Sequence, residues 1–174
     1  MIRDTVDQIE QAWRRERPDI DSSSIGVITR IWRLARVLDR ARAGALAKLG
    51  TDAATVDALA TLRRAGKPYR LTAGEMQRRS LVTAGAVTQR LDRLEQGGLV
   101  RREGDRHDGR VVHVVLTARG RRLVDRIFVA LMEQEQSLLA PFSREEREAL
   151  AVLLRRWLAW FEGSASPSLV RYRV

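Results

Sequence analysis

Apolar residues recur along the chain at three- and four-residue intervals, the period of helices buried on one face, and only one short region breaks that rhythm. Residues 4–16 set Val6, Ile9 and Trp13 on one side of a short helix that Pro18 brings to an end. A longer helix is predicted over 24–48, with Asp21 and the serines at 22–24 placed to cap it. Its stripe of Ile28, Ile31, Trp32, Ala35 and Leu38 runs beside polar positions held by Arg30, Arg33, Arg36, Arg40 and Arg42, and Gly50 terminates it. Thr51-Asp52 opens a further helix to about Ala65, buried through Val56, Leu59 and Leu62, with Asp57 semi-buried beside them. Residues 66–70 then form a turn, since Pro68 interrupts continuous helix.

The break in rhythm lies within 72–117. Thr72 precedes Glu75 at the spacing of a capping box, which starts a helix at about 73–80. After a break near Leu81-Val82, Thr83 caps a second helix running to Glu95. Val87, Leu91 and Leu94 share one face of it, and Gln89, Arg90 and Arg93 lie largely off that face. Gly97-Gly98 ends it, and strands follow at about 99–104 and 111–116 around a polar tip holding Arg106, His107 and Arg110. Helix, turn, helix and hairpin in this order describe a winged helix-turn-helix. Its second helix suits a major groove, and its wing can reach phosphates or the minor groove. The alternative is a small structural α+β unit whose arginines are simply solvated.

Beyond the wing a helix runs from Thr117 to about Leu139, with Leu123, Ile127, Leu131 and Leu138 as its apolar contacts. Pro141 breaks it, and Ser143 with Glu146 caps a last helix whose stripe is Leu150, Leu153, Leu154, Trp157, Leu158 and Phe161, widened by Trp160. Arg155 and Arg156 alone do not make the basic polar face of a membrane-surface helix. The two long terminal helices therefore predict a homodimer interface, with Ile28, Trp32, Leu150, Leu154, Trp157 and Phe161 as its candidates. The fold expected is mainly α with a small β-hairpin wing. Residues 1–50 form N-terminal helices for pocket cover and dimerisation, 51–117 the DNA-binding unit, and 118–174 a C-terminal dimerisation region. The last eleven residues, from Ser164, show no strong periodicity.

Composition sharpens this picture in two places. A formal net charge of +10 over 174 residues favours a polyanionic partner. Arginine supplies nearly all of it, which fits phosphate and guanine recognition and equally fits a genomic bias. The absence of cysteine excludes disulfides, thiol redox sensing and the usual zinc-finger ligands. Neither His107 nor His113 sits in a ligand-like cluster. The charged N-terminus is no secretory signal and no apolar run is long enough to span a bilayer, so a cytoplasmic protein without a membrane partner is expected. No nucleophile–base pair, metal cluster or phosphate-cradling glycine loop is present, so no enzyme and no cofactor is expected. A competing reading is an architectural DNA-binding or protein-interaction module without operator selectivity or ligand response.

The segment LVTAGAVTQRLDRLEQGGLVRR resembles the recognition helix and first wing strand of the MarR family of winged-helix regulators. DGRVVHVVLTARG resembles that family's wing-closing signature through Asp108, Arg110, Leu116, Thr117 and Gly120. The likeness extends from about residue 24 to 161. It implies a homodimeric, sequence-specific transcriptional regulator, a repressor by expectation, on pseudo-palindromic double-stranded DNA. Carried onto this chain, it places Thr83 and Ala84 at the entrance of the recognition helix. Thr88, Gln89 and Arg93 become base or phosphate contacts, Arg78 and Arg79 backbone contacts, and Arg106 and Arg110 wing contacts. Arg110 can instead pair with Asp108 to fix the loop. Gln89 suits adenine, and Arg93 suits guanine or phosphate.

The N-terminal helix and four separated residues further resemble the family's urate-responsive branch. That resemblance implies that Trp13, Asp57, Arg90 and Arg102 bind urate or another small anionic aromatic. The alternative leaves Arg90 and Arg102 on DNA phosphates, Asp57 paired with one of them, and Trp13 as packing. Two positions depart from the family pattern: Val56 stands where a bulky aromatic is common, and Gln89 where Asn is frequent.

Overall fold

Asp4 begins the first helix by accepting hydrogen bonds from the Val6 and Asp7 N–H groups, while the Asp7 carboxylate accepts one from the Asp4 N–H at 2.7 Å. In the computed structural model, which describes residues 3–79, 84–105, 108 and 111–163 and only the backbone of Gln77 and 84–88, this box opens α1, Thr5–Glu16. α2, Ile25–Lys48, completes the first of two compact units, Met1–Gly50. The two helices are pinned by Arg30, which donates to Asp4 at 2.9 and 3.0 Å and to Asp7 at 2.8 Å. This guanidinium is the main reason the Asp4 carboxyl falls to about 2.

The capping expected from Asp21 and the serines is not what opens α2. Ser24 is the N-cap but its hydroxyl makes no capping bond, and Asp21 accepts from the Ser23 N–H at 2.9 Å. The first N–H groups instead bond back to the carbonyls of Ser22, Ser23 and Ser24 at 3.1 Å, a tight turn that satisfies them without side chains. Gly50 follows the last turn at φ 66°, a conformation that glycine adopts without a Cβ penalty.

The second unit, Thr51–Val174, carries the remaining elements. They are α3 (Ala53–Arg64), β1 (Arg70–Thr72), α4 (Ala73–Arg79), α5 (Ala84–Gln96), β2 (Val100–Gly104), β3 (Val112–Leu116), α6 (Ala118–Leu138) and α7 (Arg144–Gly163). The predicted wing is thus a hairpin of β2 and β3 with a third strand added. β1 pairs antiparallel with β3, giving the order β1-β3-β2 with Leu71 opposite Val114 and Arg102 also opposite Val114. Three residues beside a capping box carry no periodicity of their own, which is why this strand escapes a sequence reading.

The core of this unit joins α3, α4, α5, α6 and the sheet through Leu59, Leu62, Met76, Leu91, Leu94, Val100, Val114 and Val124, all 3% exposed or less. Each such leucine contributes about 1.5–3 kcal/mol by leaving water. α5 ends in a Schellman motif: Gly98 adopts φ 65°, Leu99 N–H bonds to Leu94 O at 2.9 Å, and Gly98 N–H to Glu95 O at 2.8 Å. Thr117 then caps α6 and donates its hydroxyl to the Gly98 carbonyl at 2.8 Å, fastening the start of α6 to the end of α5. α7 opens on the expected Ser143–Glu146 box, with bonds of 2.7 and 3.2 Å. None of its twenty residues is buried, and Val152, Leu153, Leu154, Leu158 and Trp160 are each 48–59% exposed.

Candidate nucleic-acid interface

The Thr72–Glu75 box fixes where α4 begins. The Thr72 N–H donates to Glu75 at 2.8 Å, the Glu75 N–H donates to the Thr72 hydroxyl at 3.1 Å, and these bonds hold the Glu75 carboxyl below its ordinary value. α4 then ends on Arg78 and Arg79, both exposed. On α5, Leu91 and Leu94 face the core, and Gln89 and Arg93, one turn apart, are exposed on the other side. The apolar period thus turns two of the residues chosen for base contact outward. Thr83, Arg106 and Arg110 lie outside the described residues, as do the side chains of Ala84 and Thr88.

α5 also carries Asp92 and Glu95, charges that would repel phosphates if left alone. Arg102, from β2, reaches both: its Nη1 lies 2.7 Å from Asp92 and 2.9 Å from Glu95, and its N–H donates to Glu95 at 2.7 Å. The guanidinium is held more firmly charged, by Asp92 first and then by Glu95. Arg102 therefore pairs with both acids of α5, cancelling one of their two charges, and ties that helix to β2. The sequence holds a local signal for this, two carboxylates three residues apart on one helix face, but only the turn of the chain into β2 brings the arginine back to them.

The base of the wing is closed by polar contacts. Asp105 N–H donates to Val111 O and Val111 N–H to Asp108 O, each at 2.9 Å, and Asp108 N–H donates to the Asp105 carboxylate at 3.2 Å. His113 Nε2 lies 2.8 Å from the same Asp105 carboxylate, so a histidine without apparent partners in the sequence is a clasp across the hairpin. The register that places Glu103 opposite His113 sets up the approach. The pairing of Arg110 with Asp108 falls outside the described residues.

The four residues expected to hold a ligand divide between the two units. Trp13, 53% exposed, lines a cavity of about 210 Å³ within the first unit, together with Arg17, Ile20 and Ser22. In the second unit, Asp57 is half-buried on α3 between buried Val56 and Ala58, and Arg90 is half-buried on α5. Arg102 is already engaged as above. Among the candidate dimer residues, Trp32 is 68% exposed, Leu150 37% and Leu154 48%, while Ile28, Trp157 and Phe161 are half-buried. Among the described residues no helix is long and apolar enough to cross a membrane, and no group of three or more His, Asp or Glu side chains could hold a metal ion.

Residues 49–111 match the model of the MarR family. The HTH-type transcriptional regulator PecS of Dickeya dadantii is 39% identical over 151 residues, which cover 87% of this chain and 91% of that protein. An uncharacterised HTH-type transcriptional regulator of Bacillus subtilis, YcgE, is 32% identical over 79% of this chain and 85% of its own length. Among solved structures, mutant MarR of E. coli complexed with operator DNA superposes with a TM-score of 0.64 at 27% identity, covering 80% of this chain and 99% of that one.

Proposed function

The chain belongs to the MarR family, whose members are non-catalytic, sequence-specific DNA-binding transcriptional regulators, and from that premise we propose that it is a homodimeric repressor released by a small anionic aromatic or purine. The observation that carries the DNA-reading half is the outward ridge of Gln89 and Arg93 on a helix whose two acids are both paired with Arg102. Bidentate contacts from that ridge to adenine or guanine would each discriminate by about 1–3 kcal/mol. Thr83, Ala84 and Thr88 would extend the reading surface toward the start of the recognition segment. Arg78 and Arg79, with Arg106 and Arg110 from the wing, supply phosphate contacts that position the head without reading sequence. Ile28, Trp32, Leu150, Leu154, Trp157 and Phe161 join two copies of the chain, so that two heads address a pseudo-palindrome.

For the effector, urate is the first candidate. Trp13 offers a face for stacking, Arg90 and Arg102 offer donors to oxygen-rich edges, and Asp57 accepts a ligand N–H or holds an arginine. The pairing of Arg102 suggests the route of the signal. An anion that captures this guanidinium draws it from Asp92 and Glu95, loosening the recognition helix from the wing strand. The same double pairing supports a second reading, in which Arg102 is only a clamp and the ligand is held without it.

The test is a urate titration into the preformed protein–operator complex at fixed salt. The expected result is at least about a tenfold loss of operator affinity by millimolar urate, a coupling of roughly 1.4 kcal/mol. Trp13→Ala and Arg90→Ala proteins should bind operator yet lose most of that response. Unchanged affinity across the titration removes urate as the effector, and a full response in both variants removes the assigned pocket. An Arg102→Ala protein that binds operator poorly yet still binds urate like the wild type favours the clamp reading.

A further inference from the structure

Two arginines from different helices approach the Tyr69 ring. The guanidinium carbon of Arg63, on α3, is 5.0 Å from the ring centroid, and that of Arg121, on α6, is 6.0 Å away. Arg63 also spans to α6 directly, donating through Nε to Asp125 at 2.7 Å and through Nη2 at 3.5 Å. Its Nη1 donates to the Tyr69 hydroxyl at 3.4 Å. Tyr69 itself is fixed on both sides of its backbone: its N–H donates to Gly66 O at 2.6 Å and its carbonyl accepts from Leu116 N–H at 3.0 Å. It holds φ 61°, a region that a residue with a bulky side chain rarely adopts unless its surroundings impose it.

The cluster is half-exposed, with 39% of the Arg63 side chain and 48% of the Asp125 side chain open to solvent. Ion pairs so open add little to stability. Their location matters more. α6 leaves the sheet immediately after β3, and Asp125 lies eight residues along it from its Thr117 cap. From Asp125 to the end of α6 is about 20 Å of helix, so a tilt of about 10° at the cluster moves that end by roughly 3.5 Å, close to one base-pair step. The end of α6 is in turn tied to α7 by Arg147, which donates to Gln136 at 2.9 Å.

We propose that Arg63, Tyr69, Arg121 and Asp125 form the joint that fixes the angle at which α6 leaves the winged unit, and thereby the half-site spacing that an operator must have. The inference rests on the dimeric reading above, since spacing has meaning only when two heads are held by a shared helical body. The four are positioning residues. They determine which operator fits without touching a base.

Full-length Asp125→Asn and Arg121→Gln proteins are titrated against duplexes carrying two copies of a selected half-site, with the centre-to-centre distance changed one base pair at a time, and against a duplex with one copy. The wild type should lose about tenfold in affinity for each base pair away from its best spacing, because each step also turns the second site around the duplex. The variants should shift that optimum by about one base pair or flatten the series to within about threefold, with single-copy affinity kept within about twofold. Arg121 lies at the exposed edge of the stack, so its variant reads the joint even where Asp125→Asn weakens the fold. Folded variants whose spacing profile superposes on the wild type overturn the joint while leaving the dimer intact. A wild type that sediments as a monomer and ignores spacing overturns the dimeric reading, and the joint with it.

Discussion

Replacing Gly120 with alanine should cost about 3 kcal/mol of stability, and replacing it with valine should leave little folded protein. A Cβ at this position would lie 2.1 Å from the Leu99 carbonyl oxygen and 2.8 Å from a methyl of Leu116. The first contact is with backbone, which cannot swing aside as a side-chain tip can. The closeness has a purpose: the Thr117 N–H reaches the Leu99 carbonyl at 3.1 Å, so α6 starts directly against the strand entry that follows α5. Separating them to admit a methyl group would break the fastening between recognition helix, wing and α6. Urea denaturation followed by circular dichroism measures the loss as a lower midpoint at unchanged slope. Gly44, in α2 with nothing within 4 Å of a built Cβ, is the control: its alanine variant should gain up to about 1 kcal/mol. Equal effects at the two positions would refute the close-approach argument.

Leu154→Glu should convert a dimer into monomers and weaken operator binding by about a hundredfold or more. Leu154, Leu158 and Trp160 present 48%, 59% and 59% of their surface to solvent in the single chain, on a helix that buries nothing. Leaving such a row in water is costly at about 25 cal/mol per Å² of apolar area, and in the proposed dimer a second copy of the same helix is the complement that a twofold axis supplies. A carboxylate placed in that seam appears twice, once from each chain, and has no partner there. Sedimentation equilibrium and an operator titration on the same samples check both parts. A variant that remains dimeric would move the interface elsewhere on the chain.

The parts legible in the sequence are those written in spacings of three and four residues. The Thr72–Glu75 and Ser143–Glu146 boxes, the Asp52 cap, the buried faces of α3 and α5 and the outward placement of Gln89 and Arg93 all follow from helix geometry acting on neighbouring residues. The parts that escape it depend on distant segments meeting. β1 exists only because Arg70 to Thr72 find β3 more than forty residues later, and the Arg63–Asp125 pair spans 62 positions. Gly120 reads locally as a weak helix residue in a first turn, and only the approach of Leu99 explains why no larger residue fits. Arg102 illustrates a different limit. Its charge marks it as a residue for anions, but the structure shows two carboxylates of the protein already holding it. The opening of α2 fails for a local reason: several candidate caps stand side by side, and backbone turns satisfy the N–H groups before any side chain does.

The most direct test of the account is the protein's discrimination among duplexes. A pool of random duplexes of about three helical turns is enriched on the full-length protein, and the winning sequence is compared with its base-scrambled version at about 0.15 M salt. The expected winner is twofold-symmetric, with half-sites centred about one helical turn apart, and is bound roughly a thousandfold or more tightly than the scramble. Equal affinity for the two duplexes, with no symmetric sequence enriched, would contradict that expectation.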